Sequence, residues 1–115
     1  MTLKEEFDSI LAALNKPVAE DDYDGTAKEY IVVNYADERP GLEADDEPLT
    51  DEVIIQVHHY FKGASTITKK KIRKLLRAAD YTVINTEQFF ENDTKYTHRV
   101  FEVWKEVKNT DMEEE

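Results

Sequence analysis

Hydrophobic spacing divides the chain into helical and extended stretches. Leu3, Phe7, Ile10, Leu11 and Leu14 recur at helical intervals and form one apolar stripe. Thr2-Leu3-Lys4-Glu5 ahead of it reads as a capping box, with Thr2 and Glu5 satisfying each other's backbone amides. Asn15-Lys16-Pro17 ends this helix, because proline disfavours helical geometry in the residue before it. Tyr30 to Tyr35 is a β-branched and aromatic run suited to a buried strand. Val53 to Phe61 alternates, with Val53, Ile55, Val57, His59 and Phe61 on one face and Ile54, Gln56, His58 and Tyr60 on the other.

After Gly63, Ser65 or Thr66 can cap a second helix running to about Ala79, with Ile67, Ile72, Leu75, Leu76 and Ala79 on its apolar side. Tyr81 to Asn85 begins a further strand that can continue through Phe89 and Phe90. Glu91-Asn92-Asp93-Thr94 has the polar chemistry of a hairpin turn. The last strand, Lys95 to about Lys108, sets Tyr96, His98, Val100, Glu102 and Trp104 against Thr97, Arg99, Phe101, Val103 and Lys105. Glu20 to Gly25 reads as an acidic linker, and Ala36 to Thr50 as a long acidic loop containing Pro40, Gly41 and Pro48.

The expected order is α-β-β-α-β-β, an α+β fold with about four largely antiparallel strands and two flanking helices. Residues 1–108 are expected to form a single domain, followed by an acidic, frayed tail at 109–115.

Charge adds a second pattern. The chain of 115 residues has a formal net charge of -11, yet residues 62 to 77 carry seven cations and no acid. The other eight cations sit among all 26 acids, so the remainder nets 8 − 26 = −18. Such segregation describes an object with one basic face and a larger acidic one, suited to oriented association. Lys69, Lys70 and Lys71 would occupy the first turns of the second helix, where the macrodipole disfavours cations by about 0.3–1 kcal/mol each. That placement suggests an external acidic partner.

Composition narrows the chemistry. There is no cysteine, hence no disulfide, thiolate site or cysteine nucleophile. Neither a spanning apolar run nor signal-peptide patterning is visible, so a soluble, cytoplasmically made protein is expected. His58 and His98 can be cross-strand neighbours, but His58 and His59 point to opposite faces and cannot share one ion, so no metal site is expected. The acid pairs Asp21-Asp22 and Asp45-Asp46 fall in exposed segments without a pocket to tune them. No phosphate loop, serine elbow or zinc-protease motif is present. The expectation is therefore a protein that is not an enzyme, with no catalytic residues and no cofactor, and with no sequence-specific nucleic-acid binding.

Several local patterns together resemble a known family. A short amphipathic helix ends in NKPVAEDDYDG before the strand YIVVNY. An acidic loop with Ala44-Asp45-Asp46 leads into DEVIIQVHHYFKG, and the basic helix KKKIRKLLRAADY follows. The final hairpin's second strand reads DTKYTHRVFEVW. Over roughly residues 3 to 106 this order is similar to the tail completion, or tail terminator, proteins of long-tailed bacteriophages and prophages. The resemblance implies a small sheet with flanking helices that assembles as a ring, usually of six copies, on the end of the tail tube. There it would stop polymerisation and meet the head connector, acting in the host cytoplasm during assembly and then in the virion tail-neck region. A head-side neck ring and an acidic interaction protein, such as a DNA mimic, are the competing readings.

A ring needs heterologous contacts, one face of each copy meeting a different face of the next. The expected contact joins Lys69, Lys70, Lys71, Arg73, Lys74 and Arg77 to Asp45, Asp46, Glu47, Asp51 or Glu52 of a neighbour or of the tube protein.

Overall fold

The computed structural model describes residues 2–40, 43–44, 47–48 and 50–108, with side chains over 2–37 and 51–107. Helix α1 covers Leu3–Ile10 and is followed by a single 3-10 turn, Ala12–Leu14. The capping box forms as the sequence predicts: Glu5 N donates to Thr2 Oγ1 at 3.1 Å and Thr2 N to Glu5 Oε1 at 2.9 Å. Asn15 ends the turn in the left-handed region, at φ 58°, which asparagine tolerates better than most residues.

The strands are β1 (Val18–Glu20), β2 (Glu29–Pro40), β3 (Glu43–Ala44), β4 (Glu47–Pro48), β5 (Thr50–Lys62), β6 (Thr82–Phe90) and β7 (Tyr96–Lys108). Helix α2, Lys69–Ala78, lies between β5 and β6 in the chain. The main sheet has five strands in the order β1-β2-β5-β7-β6, and β3 and β4 form a separate small pair.

The α+β class and the two helices agree with the sequence reading, but the structure differs from it in three ways. The sheet has five strands and is mixed, because Val18–Glu20 adds to β2 in parallel, Val18 opposite Ile31. The segment 36–50 is not simply a loop. A bulge between Tyr35 and Asp37 lets β2 keep pairing with β5 out to Pro40 opposite Asp51, since a bulge absorbs one residue while preserving the ladder beyond it. Helix α2 is capped by Thr68 instead of Ser65 or Thr66, and Lys71 N donates to Thr68 Oγ1 at 3.1 Å. Ser65 and Thr66 are engaged elsewhere, as described below. The tail expected at 109–115 lies outside the described residues.

The alternation predicted for β5 and β7 holds. Val53, Ile55, Val57, His59 and Phe61 are buried on the face that also receives Phe101 and Val103. Leu3, Phe7, Leu11 and Leu14 cover the β1–β2 side of this face, while Ile72 and Leu76 of α2 cover the β6 side. Both helices thus sit on one face of the sheet, and among the described residues the other face carries no helix. Among the described residues no helix is long and apolar enough to cross a membrane.

Thr68 has a measurable role here. The first turn of α2 contains no acid to offset its lysines, so the hydroxyl cap is its main electrostatic support. Thr68→Ala is expected to cost about 1 kcal/mol, read as a lowered urea midpoint. An unchanged midpoint would mean that water serves the Lys71 amide equally well.

Candidate functional site

Three features of the surface bear on function: the basic helix, a buried carboxylate beneath its start, and an aromatic row on the open face. Lys70, Lys71, Lys74 and Arg77 are exposed on α2, with Lys69 and Arg73 half-buried. Among the described residues none of these six forms an ion pair. The expected acidic complement is described only in part. Asp45 and Asp46 lie outside the described residues, and Glu47 is described only as backbone in β4.

Asp51 and Glu52 are half-buried at the start of β5, opposite Val107 and Glu106 of β7. Arg99 Nη1 donates to Ile67 O at 3.2 Å, which sets the start of α2 level with the His59–Arg99 cross-strand pair. Asp51 lies eight positions along β5 from His59, roughly 26 Å at about 3.3 Å per residue. Lys69, Lys70 and Lys71 therefore cannot meet Asp51 within one chain.

Beneath the start of α2, Glu29 is 8 % exposed and gathers donors from three segments. His59 Nε2 and Ser65 Oγ each lie 2.7 Å from Glu29 Oε2. Thr66 Oγ1 and Thr66 N donate to Glu29 Oε1 at 2.7 and 3.3 Å. Lys16 Nζ approaches Oε1 at 3.8 Å. Burial pushes the carboxyl up, but the hydrogen bonds from Ser65, Thr66 and His59 outweigh it and hold Glu29 down at about 2.

His59 is fully buried, and its Nδ1 has no partner among the described residues. The ring is therefore the neutral Nε2–H tautomer donating to Glu29, since an imidazolium would bury a second, unpaired N–H. Burial lowers its pKa against the opposing pull of Glu29. The carboxylate sits between serine and histidine. A hydrolase would need the histidine in the middle. This cluster ties β2, β5 and the approach to α2 together, which is why Ser65 and Thr66 are not free to cap the helix.

The open face carries a row that single-strand patterns do not reveal. Tyr30, Tyr60, His98 and Phe89 are direct cross-strand neighbours on β2, β5, β7 and β6. Their ring centroids are 5.0, 4.1 and 4.9 Å apart in that order, and Tyr23 stacks on Tyr30 at 4.2 Å. A Cβ at Gly25 would collide with the Tyr23 ring, so the turn needs glycine there. Tyr23 Oη accepts from Ala27 N at 3.1 Å, and Tyr96 Oη donates to Ala27 O at 3.1 Å. Burial, with Tyr96 and Tyr60 nearby, raises Tyr30 to about 12.

Next to the row, His58 Nε2 donates to Asn34 Oδ1 at 2.8 Å, and His98 Nε2 lies 2.7 Å from His58 Nδ1. With both rings neutral, His98 donates and His58 accepts. His98 Nδ1 faces Glu91 Oε2 at 3.7 Å. Burial and the neighbouring His98 push His58 down to about 4, while burial lowers His98 against the pull of Glu91. The sequence pairs His58 with Tyr60 and Tyr96 with His98 on their strands. Tyr23 and Phe89 enter the row only through strand order and register.

Among the described residues no group of three or more His, Asp or Glu side chains is arranged to hold a metal ion. No protein-family model matches the chain, and no curated protein sequence shows significant similarity to it.

Proposed function

We propose that this chain is a structural, non-enzymatic bacteriophage or prophage protein that caps the tail tube as a ring, ends tail polymerisation and joins tail to head. The observation that carries the reading is a basic helix that none of the described acids pairs with. Six cations on α2 have no acid partner among the described residues of their own chain, and Lys69 to Lys71 crowd the helix end that disfavours them. A partner surface of opposite charge removes both penalties. The sequence resemblance supplies the setting: a ring, of six copies as the family implies, between the tail tube protein and the head connector, in the virion tail-neck region.

Electron microscopy of particles assembled without the protein tests this. Overlong, headless tails are expected. Normal-length tails beside empty, leaking heads would instead assign the chain to the head-side neck ring. If tails and heads are both normal, the assembly role fails. The net charge of -11 would then favour the acidic interaction protein, whose mark is salt-sensitive binding to a DNA-binding protein.

A further inference from the structure

We infer that copies of this chain join edge to edge, the α2–β6 edge of one against the α1–β1 edge of the next, so that the sheet continues across subunits. The inference rests on the ring reading and names the surfaces that would build it.

Sheet order carries the argument. Among the described residues, strands β1 and β6 are the two outer strands of the main sheet, and unpaired outer strands are templates for another chain. On β6, Glu91 just beyond the strand end turns its amide to Tyr96 O and its carbonyl to Lys95 N, both at 2.8 Å. The register is continuous from Asn85 to Phe90, so alternation leaves the backbone groups of Thr86, Gln88 and Phe90 facing outward. On β1, Pro17 O accepts from Ile31 N and Asp21 N donates to Val33 O, both at 2.9 Å. Val18 and the amide of Glu20 then face the open side, while the Glu20 carbonyl accepts from Asp22 N at 2.7 Å.

These outward positions are level. Val18, Ile31, His59, Arg99 and Gln88 form one row across the five strands, and Glu20, Val33, Val57, Phe101 and Thr86 form another. Strand β1 runs parallel to β2, while β2–β5, β5–β7 and β7–β6 are antiparallel. A neighbour displaced sideways therefore presents β6 antiparallel to β1, with Thr86 opposite Glu20 and Gln88 opposite Val18. Ile84, Phe89 and Phe90 on β6 are 49, 46 and 55 % exposed, giving apolar surface for the contact to cover.

Charge selects this pairing over two β6 edges meeting each other. Residues 69–90 hold six cations and two acids, 6 − 2 = +4. Residues 2–28 hold three cations and seven acids, 3 − 7 = −4. A β6–β6 contact would set two basic helices side by side, whereas the heterologous contact brings opposite signs together and can close a ring.

The chain has no cysteine, so disulfide trapping reads the contact directly. Opposed residues in a hydrogen-bonded antiparallel pair lie about 5.5 Å apart between Cα atoms, within the range a disulfide bridges. Concentrated full-length protein carrying both Glu20→Cys and Thr86→Cys is expected to oxidise into a ladder of multimers. A mixture of the two single variants should stop at dimers, and each single variant alone should stay monomeric. A Thr86→Cys homodimer, or no ladder from the double variant, overturns the inference.

Adding Asp22→Lys and Asp24→Lys should slow trapping at least about tenfold, and Lys70→Glu with Lys74→Glu should restore it. Failure of that restoration also counts against the pairing. Tails correctly capped by a chain whose edges do not trap would leave the assembly role standing and remove only this contact. Normal tails without the chain would remove the role, whatever the trapping shows.

Discussion

Glu29→Ala is expected to destabilise the protein by roughly 3–5 kcal/mol, as for breaking a buried charged network, out of a total of about 5–15 kcal/mol for a typical domain. The substitution removes the acceptor of four hydrogen bonds, from His59 Nε2, Ser65 Oγ, Thr66 Oγ1 and Thr66 N. The loss falls hardest on His59, which is fully buried and already has an orphaned Nδ1. Its Nε2–H would be left without a partner, costing the desolvation of a buried donor in addition to the lost bond. Glu29→Gln keeps the shape and should cost less, although its NH2 must then face donors on one side of the cluster. Urea unfolding of the three proteins measures the difference. A loss below about 1 kcal/mol for the alanine variant would mean that water replaces the carboxylate and the cluster does not anchor the start of α2.

Acid should weaken the fold well above the usual carboxylate range. His58, His59 and His98 all have folded pKa values below 6.5, His58 at about 4, with burial as the leading cause each time. The unfolded chain therefore binds more protons as pH falls through 6.5, and stability falls with it. Each histidine contributes up to about 1.4 kcal/mol per pH unit until its folded pKa is reached. For His58 that window runs from 6.5 to about 4.

Glu29 acts later and in the same direction. Its contribution is complete above 4.5 and is lost as pH falls towards about 2, amounting to about 3 kcal/mol over the window. Thermal unfolding at pH 7.5 and 5.5 isolates the histidine part, because most exposed acids remain ionised at both values. A clear drop in Tm at 5.5 is expected, with the His58 ring the last of the coupled pair to titrate by NMR. Equal Tm values at the two pH values would contradict neutral burial of these rings.

Local pattern made much of the fold legible. The capping box at Thr2 and Glu5, the stripe through Phe7 and Leu11, and the two faces of β5 all depend on neighbours within a few residues. The three-residue β1 carries no periodic signal, and its parallel pairing with β2 is a non-local event. The continuation of β2 to Pro40 reads as loop because its residues are acidic, yet the Tyr35/Asp37 bulge keeps the ladder in register. Thr68 displaces Ser65 and Thr66 as the cap for a similar reason. Their hydroxyls bind Glu29, which lies 36 and 37 residues earlier in the chain.

The sequence alone determined the helices, the alternation of β5 and β7, and the segregation of seven cations into residues 62 to 77, because each is written in spacing or sign. Strand order was decided only by the tertiary structure. It sets β1 and β6 at opposite edges, gathers Tyr30, Tyr60, His98 and Phe89 into one row, and puts the acidic N-terminal segment across the sheet from the basic helix. Those placements arise from burying both helices on one face of a continuous ladder, a balance of burial and hydrogen bonding that belongs to the whole chain and to no single segment.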